Sequence, residues 1–157
     1  MKKLVFILFL LLFPFAHGAT LSGGISQNVD SGFMGSWLVS GELIGEPIKG
    51  FQVRTNQFWN LGKINNVMIL ENRLTGARGE IKIDKAFTGK KSYLKFTNIC
   101  ENGDLKTHKI VLKETPEIYL SGNMFEGVDT FEIKKYKNGA LYQEEMVKYK
   151  IIGKKIH

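Results

Sequence analysis

Short runs of alternating apolar and polar residues fill the chain from residue 36 to residue 152. They recur about every ten residues and are separated by turn-forming residues, a spacing typical of an antiparallel β-meander. Apolar residues do not repeat at helical spacing over three turns anywhere, so we expect little helix. Nine strands are predicted, at 36–44, 52–61, 66–73, 80–87, 92–100, 105–114, 117–121, 128–136 and 141–152.

Two connections carry Asn-Gly, which favours the tight type I′ turn of a β-hairpin because both residues tolerate a positive φ angle. They are Asn102-Gly103 and Asn138-Gly139. A tight turn at the first sets Cys100 opposite Lys106. At the second, the register that places Phe131 opposite Val147 also brings opposite charges together on the neighbouring strands.

Alternation within the strands separates an inner face from an outer face. The outer face carries charged residues, namely Lys82, Lys95, Lys109, Lys113, Glu132 and Lys134. The inner face is predicted to hold Trp37, Val39, Val67, Ile69, Ile81, Ile83, Leu94, Phe96, Ile110, Leu112, Ile118, Leu120, Phe131 and Ile133. Closing such a sheet removes its exposed edges. We therefore expect an all-β, up-and-down antiparallel barrel of about eight or nine strands, with a β-sandwich as the alternative.

The first residues have the pattern of a secretory signal peptide. Lys2 and Lys3 precede an apolar run over 4–15, and small residues then favour cleavage between Gly18 and Ala19. We predict an exported protein, periplasmic or secreted. We predict that residues 1–18 are the signal peptide. Residues 19–33, which are rich in Gly and Ser at their start, are predicted to form a flexible arm. Residues 34–157 are predicted to form a single β-barrel domain.

Length and composition restrict the function further. The chain has 157 residues, which suits one domain, and its formal net charge is +7. Loss of the signal peptide removes two lysines and leaves a charge of about +5. One Cys and three His cannot supply a disulfide framework or a Cys-built zinc site. We expect no metal and no cofactor.

No familiar catalytic arrangement is evident. The predicted turn places Cys100 diagonal to His108, at roughly 7–8 Å, which is too far for a nucleophile and its base. The densest carboxylates are Asp129, Glu132, Glu144 and Glu145, which we interpret as a salt-bridged solvent face with Lys134 opposite Glu144. Phosphate-binding loop and metalloprotease motifs are missing from the sequence. The protein is therefore expected to be non-enzymatic.

The basic charge raises the question of anionic partners. Nucleic acid is not expected, because lysines are spread along the strands among acidic residues and arginine is limited to positions 54, 73 and 78. An integral membrane barrel is not expected either, since Lys82, Lys95 and Lys134 would each cost roughly 2–4 kcal/mol in lipid. An anionic envelope surface is the remaining candidate, through Lys134, Lys135, Lys137, Lys148, Lys150, Lys154 and Lys155.

Gly35-Ser36-Trp37 opens the first strand and resembles the G-x-W element of lipocalins and their relatives. The resemblance implies a lipocalin-like, eight-stranded up-and-down barrel in which Trp37 closes one end. In that family the Trp packs on an Arg from the end of the barrel, whereas the last strand here carries Lys.

Strand number, export and aromatic content together predict a protein that binds a small apolar molecule in the mouth or cavity of the barrel. The candidate ligand-binding residues are Trp37, Phe51, Phe58, Trp59, Tyr93 and Tyr119. The alternative is a cell-envelope structural or interaction module with a solid barrel and a basic outer face. An enzyme using a pair of carboxylates is a third hypothesis.

Overall fold

Nine antiparallel strands make up most of the computed structural model, which describes residues 29–72 and 77–156. The predicted signal peptide, with its cleavage site between Gly18 and Ala19, and the first part of the predicted arm lie outside the described residues. The strands are β1 (Gly35–Leu43), β2 (Arg54–Ile64), β3 (Val67–Asn72), β4 (Ala77–Glu80), β5 (Lys82–Phe87), β6 (Ser92–Gly103), β7 (His108–Ser121), β8 (Met124–Lys137) and β9 (Ala140–Ile156).

The strands form one sheet in which β1 pairs with both β2 and β9, so the first and last strands meet. On the other side, β4 pairs with β3 while β5 pairs with β6. Only Ile81 separates β4 from β5, and its backbone N–H donates to the Met68 carbonyl at 3.0 Å. These two short strands act as one bent strand that nearly closes the barrel. The predicted up-and-down barrel is confirmed.

The predicted Asn102-Gly103 turn is wrong. β6 continues through Gly103, and residues 104–107 make the connection to β7. Asp104 builds this turn, because its side chain accepts from the Lys106 N–H and its carbonyl accepts from the Thr107 N–H. Cys100 consequently pairs with Leu112. The strands predicted at 105–114 and 117–121 are a single strand, β7, with Pro116 inside it.

Two asparagines set the register of β3. Asn65 and Asn66 both have positive φ angles and turn the chain from β2 into β3, which suits asparagine, a residue that tolerates this conformation better than most. The inward residues of β3 are therefore Met68 and Leu70, and the prediction that Val67 and Ile69 point inward is wrong. Asn138-Gly139, in contrast, forms the predicted turn.

The core is aromatic at the end of the barrel where β1 begins. The Phe125 ring lies 4.9 Å from Trp37 and 5.8 Å from Trp59, and Phe96 packs edge-on against Trp59. A glycine makes room for this cluster, since a Cβ atom at Gly153 would lie 2.2 Å from the Phe125 ring. These large side chains fill the interior at this end.

Candidate functional site

One end of the barrel, which we call the closed end, is sealed around Trp37. Its indole N–H donates to the Phe33 carbonyl at 2.9 Å. The Lys155 ammonium lies 5.3 Å from the Trp37 ring and donates to the Gly32 carbonyl at 2.8 Å. Trp37 and Phe33 are both fully buried. A lysine of the last strand thus takes the position that the resemblance assigns to an arginine.

The end of the predicted arm takes part in this seal. Ser31–Phe33 form a 3-10 helix, and the Asp30 side chain accepts from the Gly32 N–H at its start. Asp30 also accepts a hydrogen bond from the Ser92 hydroxyl, which holds the pKa of its carboxyl below the usual range. The segment just before β1 is therefore attached to β6 across the closed end.

At the opposite end, which we call the open end, inward-facing side chains keep part of their surface exposed. A loop over 44–53 joins β1 to β2 there, and Phe51 in it packs against the core. The Tyr149 hydroxyl donates to the Gln52 carbonyl at 2.8 Å and so ties the loop to β9. Half-buried inward residues of β6 to β9 at this end are Asn98, Cys100, Ile110, Leu112, Phe131, Lys135, Gln143 and Glu145.

Two buried carboxyl groups lie where the filled part of the barrel meets this accessible part. Asp129 is fully buried on β8, and Glu114 on β7 is only 7% exposed. The Asn98 amide donates to Glu114 at 3.0 Å. Within the described part of the chain, no N–H group or hydroxyl donates to either oxygen of Asp129. Glu114 and Asp129, the carboxyl pair, form an interior polar site.

Burial makes ionisation of the carboxyl pair unfavourable. It raises the pKa of Asp129 well above its ordinary value, and the negative charge of Glu114 raises that pKa further. Burial also raises the pKa of Glu114, although hydrogen bonds with Asn98 and Asp129 act in the other direction. Two such groups titrate as a pair, so they share a proton at pH values where exposed carboxyls are ionised.

Cys100 lies on the same inner face, two residues beyond Asn98 on β6 and so closer to the open end. Burial, together with the charge of Glu114, raises the pKa of its thiol to about 11. The thiol therefore stays protonated near neutral pH and is a poor nucleophile. His108 pairs with Lys137 at the far tip of β7, four residues beyond the partner of Cys100.

The six predicted ligand-binding residues do not lie together. Trp37 and Trp59 are buried in the core, toward the closed end. Phe51 belongs to the loop at the open end, where it packs against the core from outside the strands. These three side chains face the barrel interior from opposite ends.

The other three predicted residues are on outward-facing positions. Phe58 pairs with Leu38, whose side chain is about half exposed. Tyr93 packs between Phe87 and Tyr119, with ring centres 5.1 Å and 4.9 Å away. Phe87, Tyr93 and Tyr119 form an aromatic row on the outer face, apart from Phe58, and Phe58, Tyr93 and Tyr119 all point away from the interior.

The carboxyl pair could have been found by extending the alternation. Ile110 and Leu112 predict an inward Glu114, and Phe131 and Ile133 predict an inward Asp129. Our assignment of Asp129 to a solvent face is wrong, because its side chain is fully buried. Glu145, assigned to the same face, is half-buried and points inward opposite Ile133. That face does exist, with Lys113–Glu132 and Lys134–Glu144 ion pairs at 2.9 Å and 3.1 Å, but Asp129 points to the other side of the sheet.

A groove of about 570 Å³ crosses the outer surface of β5 to β9, on the opposite side of the sheet from the carboxyl pair. Its floor includes Thr97, Thr115 and Thr130. Most charges along it are already paired, as in the Lys95–Glu117 ion pair at 2.9 Å. The groove therefore offers a polar surface with little net charge.

No protein-family model matches the chain, and no curated protein or solved structure matches it either. Within residues 29–72 and 77–156, no helix has the length and apolar character needed to cross a membrane. The same residues contain no group of three or more His, Cys, Asp or Glu side chains placed to hold a metal ion.

Proposed function

We propose that the protein is an exported, non-enzymatic, lipocalin-like carrier that binds a small, largely apolar molecule through the open end. The observation that supports this most directly is the contrast between the two ends. Inward side chains such as Trp37 and Phe125 are almost completely buried, whereas Leu112 and Phe131 keep accessible surface. An accessible concave surface with mostly apolar side chains and a few polar groups is the usual form of a small-molecule site.

Two further features support the lipocalin-like interpretation. The Trp37–Lys155 contact gives the barrel one sealed end, which leaves the other as the entrance. The signal-peptide pattern over residues 1–18 suits a carrier that works outside the cytoplasm. Both features agree with a cargo that enters past the loop over 44–53.

Fluorescence of the neutral apolar dye N-phenylnaphthylamine tests the proposal. The dye should brighten on binding the mature protein. Leu112→Trp fills the open end from β7 and should weaken dye binding by about tenfold or more. Val111→Trp adds the same ring one residue earlier, on the outer face of the same strand, and should leave binding unchanged. Equal dye binding by both variants would contradict a site at the open end.

The second candidate function, attachment to an anionic envelope surface, is favoured by a band of exposed apolar residues around the outside of the closed end. Leu38 and Met124 both lie beside Lys154 in the strand registers, and Lys91 lies over the Tyr119 ring. Apolar side chains mixed with lysines suit the surface of an anionic bilayer. This closed-end band consists of Leu38, Phe87, Tyr119, Met124, Ile152 and Ile156, each 39–50% exposed.

The lysines predicted to form the basic face are divided between different surroundings. Lys134 pairs with Glu144, and Lys155 turns inward to Trp37. Lys150 and Lys154 are exposed on β9 near the closed-end band. A contact with an anionic surface would therefore involve this end of the barrel, away from the proposed ligand entrance.

A further inference from the structure

Asp129 is a buried acceptor whose hydrogen-bonding neighbour is Glu114, another carboxyl group that can donate only when it is protonated. Its side chain has no exposed surface, and no N–H group or hydroxyl of the described residues donates to either of its oxygens. Leaving such a group unsatisfied is costly, and a buried polar atom without a partner often marks a place where something else binds. It points into the barrel, beside a region where Asn98, Cys100 and Phe131 are partly accessible.

None of the ion pairs in the described part of the chain involves Glu114 or Asp129. Accordingly, no Lys or Arg is among the causes that shift the pKa of either carboxyl. The nearest titratable side chains on the inner faces of the packed strands are Cys100 on β6 and Tyr149 on β9. Farther toward the open end, Lys135 on β8 and Glu145 on β9 also face inward, and both hydrogen-bond to Gln143. The Tyr149 hydroxyl is already used in its bond to the Gln52 carbonyl. The carboxyl pair is thus an acidic site that the described part of the chain does not neutralise with a cation.

We propose that the carboxyl pair is the polar anchor of the open-end site and selects a ligand whose apolar body carries a protonated amine. This inference rests on the proposed carrier function and adds the chemical class of the cargo. The apolar part would lie among Leu112, Phe131 and Cys100, and the ammonium would approach Asp129 and Glu114 from the open end.

An ammonium group fits the free acceptors better than the alternatives. It carries three N–H donors and one positive charge, enough for both Asp129 oxygens and for Glu114. A ligand hydroxyl would supply one donor and no charge. Calcium prefers six to eight oxygen ligands, more than two carboxyl groups and one side-chain amide provide.

Binding of a cation should also change the protonation of the pair. Without ligand, the two carboxyls share a proton. An ammonium between them favours both carboxylates, so the shared proton leaves to solvent as the ammonium enters. We therefore expect up to about one proton to be released for each amine bound, and affinity for the amine to increase with pH.

Titration calorimetry with three ligands of equal chain length tests the inference, using decylammonium, decanol and decanoate below their aggregation concentrations. Decylammonium should bind the mature protein at least about tenfold more tightly than decanol. Proton release is measured by repeating the titration in buffers of different ionisation enthalpy. Asp129→Asn should remove both the preference and the proton release while keeping decanol binding. Glu126→Gln, which removes an exposed carboxylate from the outer face of the same strand, should change neither.

The possible failures are distinguishable. Equal affinity for decylammonium and decanol, or tightest binding of decanoate, would overturn the amine anchor and leave the carrier function standing. Loss of the preference for decylammonium in Glu126→Gln would place the amine-binding site on the outer surface. That result would also overturn the amine anchor. If none of the three ligands binds and none slows alkylation of Cys100, the proposed function itself fails.

Discussion

Asp129 lies opposite Pro116 and Tyr149 on the inner face of the barrel, with Glu114 as its polar neighbour. Because its pKa is raised on folding, the folded protein binds more protons than the unfolded chain at pH values above the ordinary carboxyl range. The free energy of unfolding therefore falls as pH rises from the ordinary pKa toward the raised one.

The pH effect predicts how Asp129→Asn behaves. Between about pH 5 and 8, urea denaturation of the wild-type protein should show falling stability, and the variant should give a flatter profile. At the upper end the variant should be more stable by about 1–3 kcal/mol, because it no longer buries an unsatisfied carboxylate. Glu126→Gln serves as the control. A wild-type profile that rises across this range would contradict the assignment.

Lys155 connects the last strand to the segment before β1 through the Gly32 carbonyl and the Trp37 ring. We predict that Lys155→Met lowers the free energy of unfolding by about 1–2 kcal/mol, since it loses a charged hydrogen bond and a cation–π contact. Lys154→Met, an exposed neighbour on the outer face, should have little effect. Equal effects of the two substitutions in urea denaturation would show that the closed end does not depend on Lys155.

At the scale of the strands, the alternation of apolar and polar residues predicted most inward positions, and the errors in register arose at the turns. Trp37, Leu94, Phe96 and Ile118 point inward as predicted, because a two-residue period survives small errors in strand length. The turns at 65–66 and 104–107 use asparagine conformations and an Asp104 side-chain bond in place of glycine. The first turn changed the inward residues of β3 by one position, and the second moved the partner of Cys100 from the predicted Lys106 to Leu112.

Two strand glycines test the packing of β9 against the aromatic core. Gly153→Ala would put a Cβ atom against the Phe125 ring and should destabilise the barrel by about 1–3 kcal/mol. Gly62→Ala, on β2, meets no atom within 4 Å and should be close to neutral. Thermal unfolding followed by near-ultraviolet circular dichroism would compare them. Similar melting temperatures for both variants would contradict the close packing at Gly153.

At the scale of the molecule, the site around the carboxyl pair depends on three strands. The sequence of no single strand determines their relative register. Asn98, Glu114 and Asp129 come together only because β6, β7 and β8 pair as they do. The aromatic content led us to expect aromatic side chains in the binding site. Composition alone could not predict that Trp59 points into the barrel and Tyr93 points outward. The barrel and the inward orientation of Glu114 and Asp129 could be predicted from local patterns, whereas the proximity of the two carboxyls depends on the register of the assembled sheet.

The closed-end band gives a prediction about the whole surface. If it contacts an anionic bilayer, the mature protein should sediment with phosphatidylglycerol vesicles and remain in solution with phosphatidylcholine vesicles. Met124→Asp should reduce sedimentation severalfold. Met146→Asp, an equally exposed methionine nearer the open end, should not. Equal loss of sedimentation in both variants, or no loss in either, would contradict membrane attachment through the closed-end band.

Native mass spectrometry of the protein isolated from its own host tests the carrier function most directly. The predicted result is a chain carrying one small molecule with a basic nitrogen, together with slower alkylation of Cys100, its only cysteine, than after the molecule is extracted. A bare chain whose Cys100 reacts equally fast before and after extraction would contradict the carrier function.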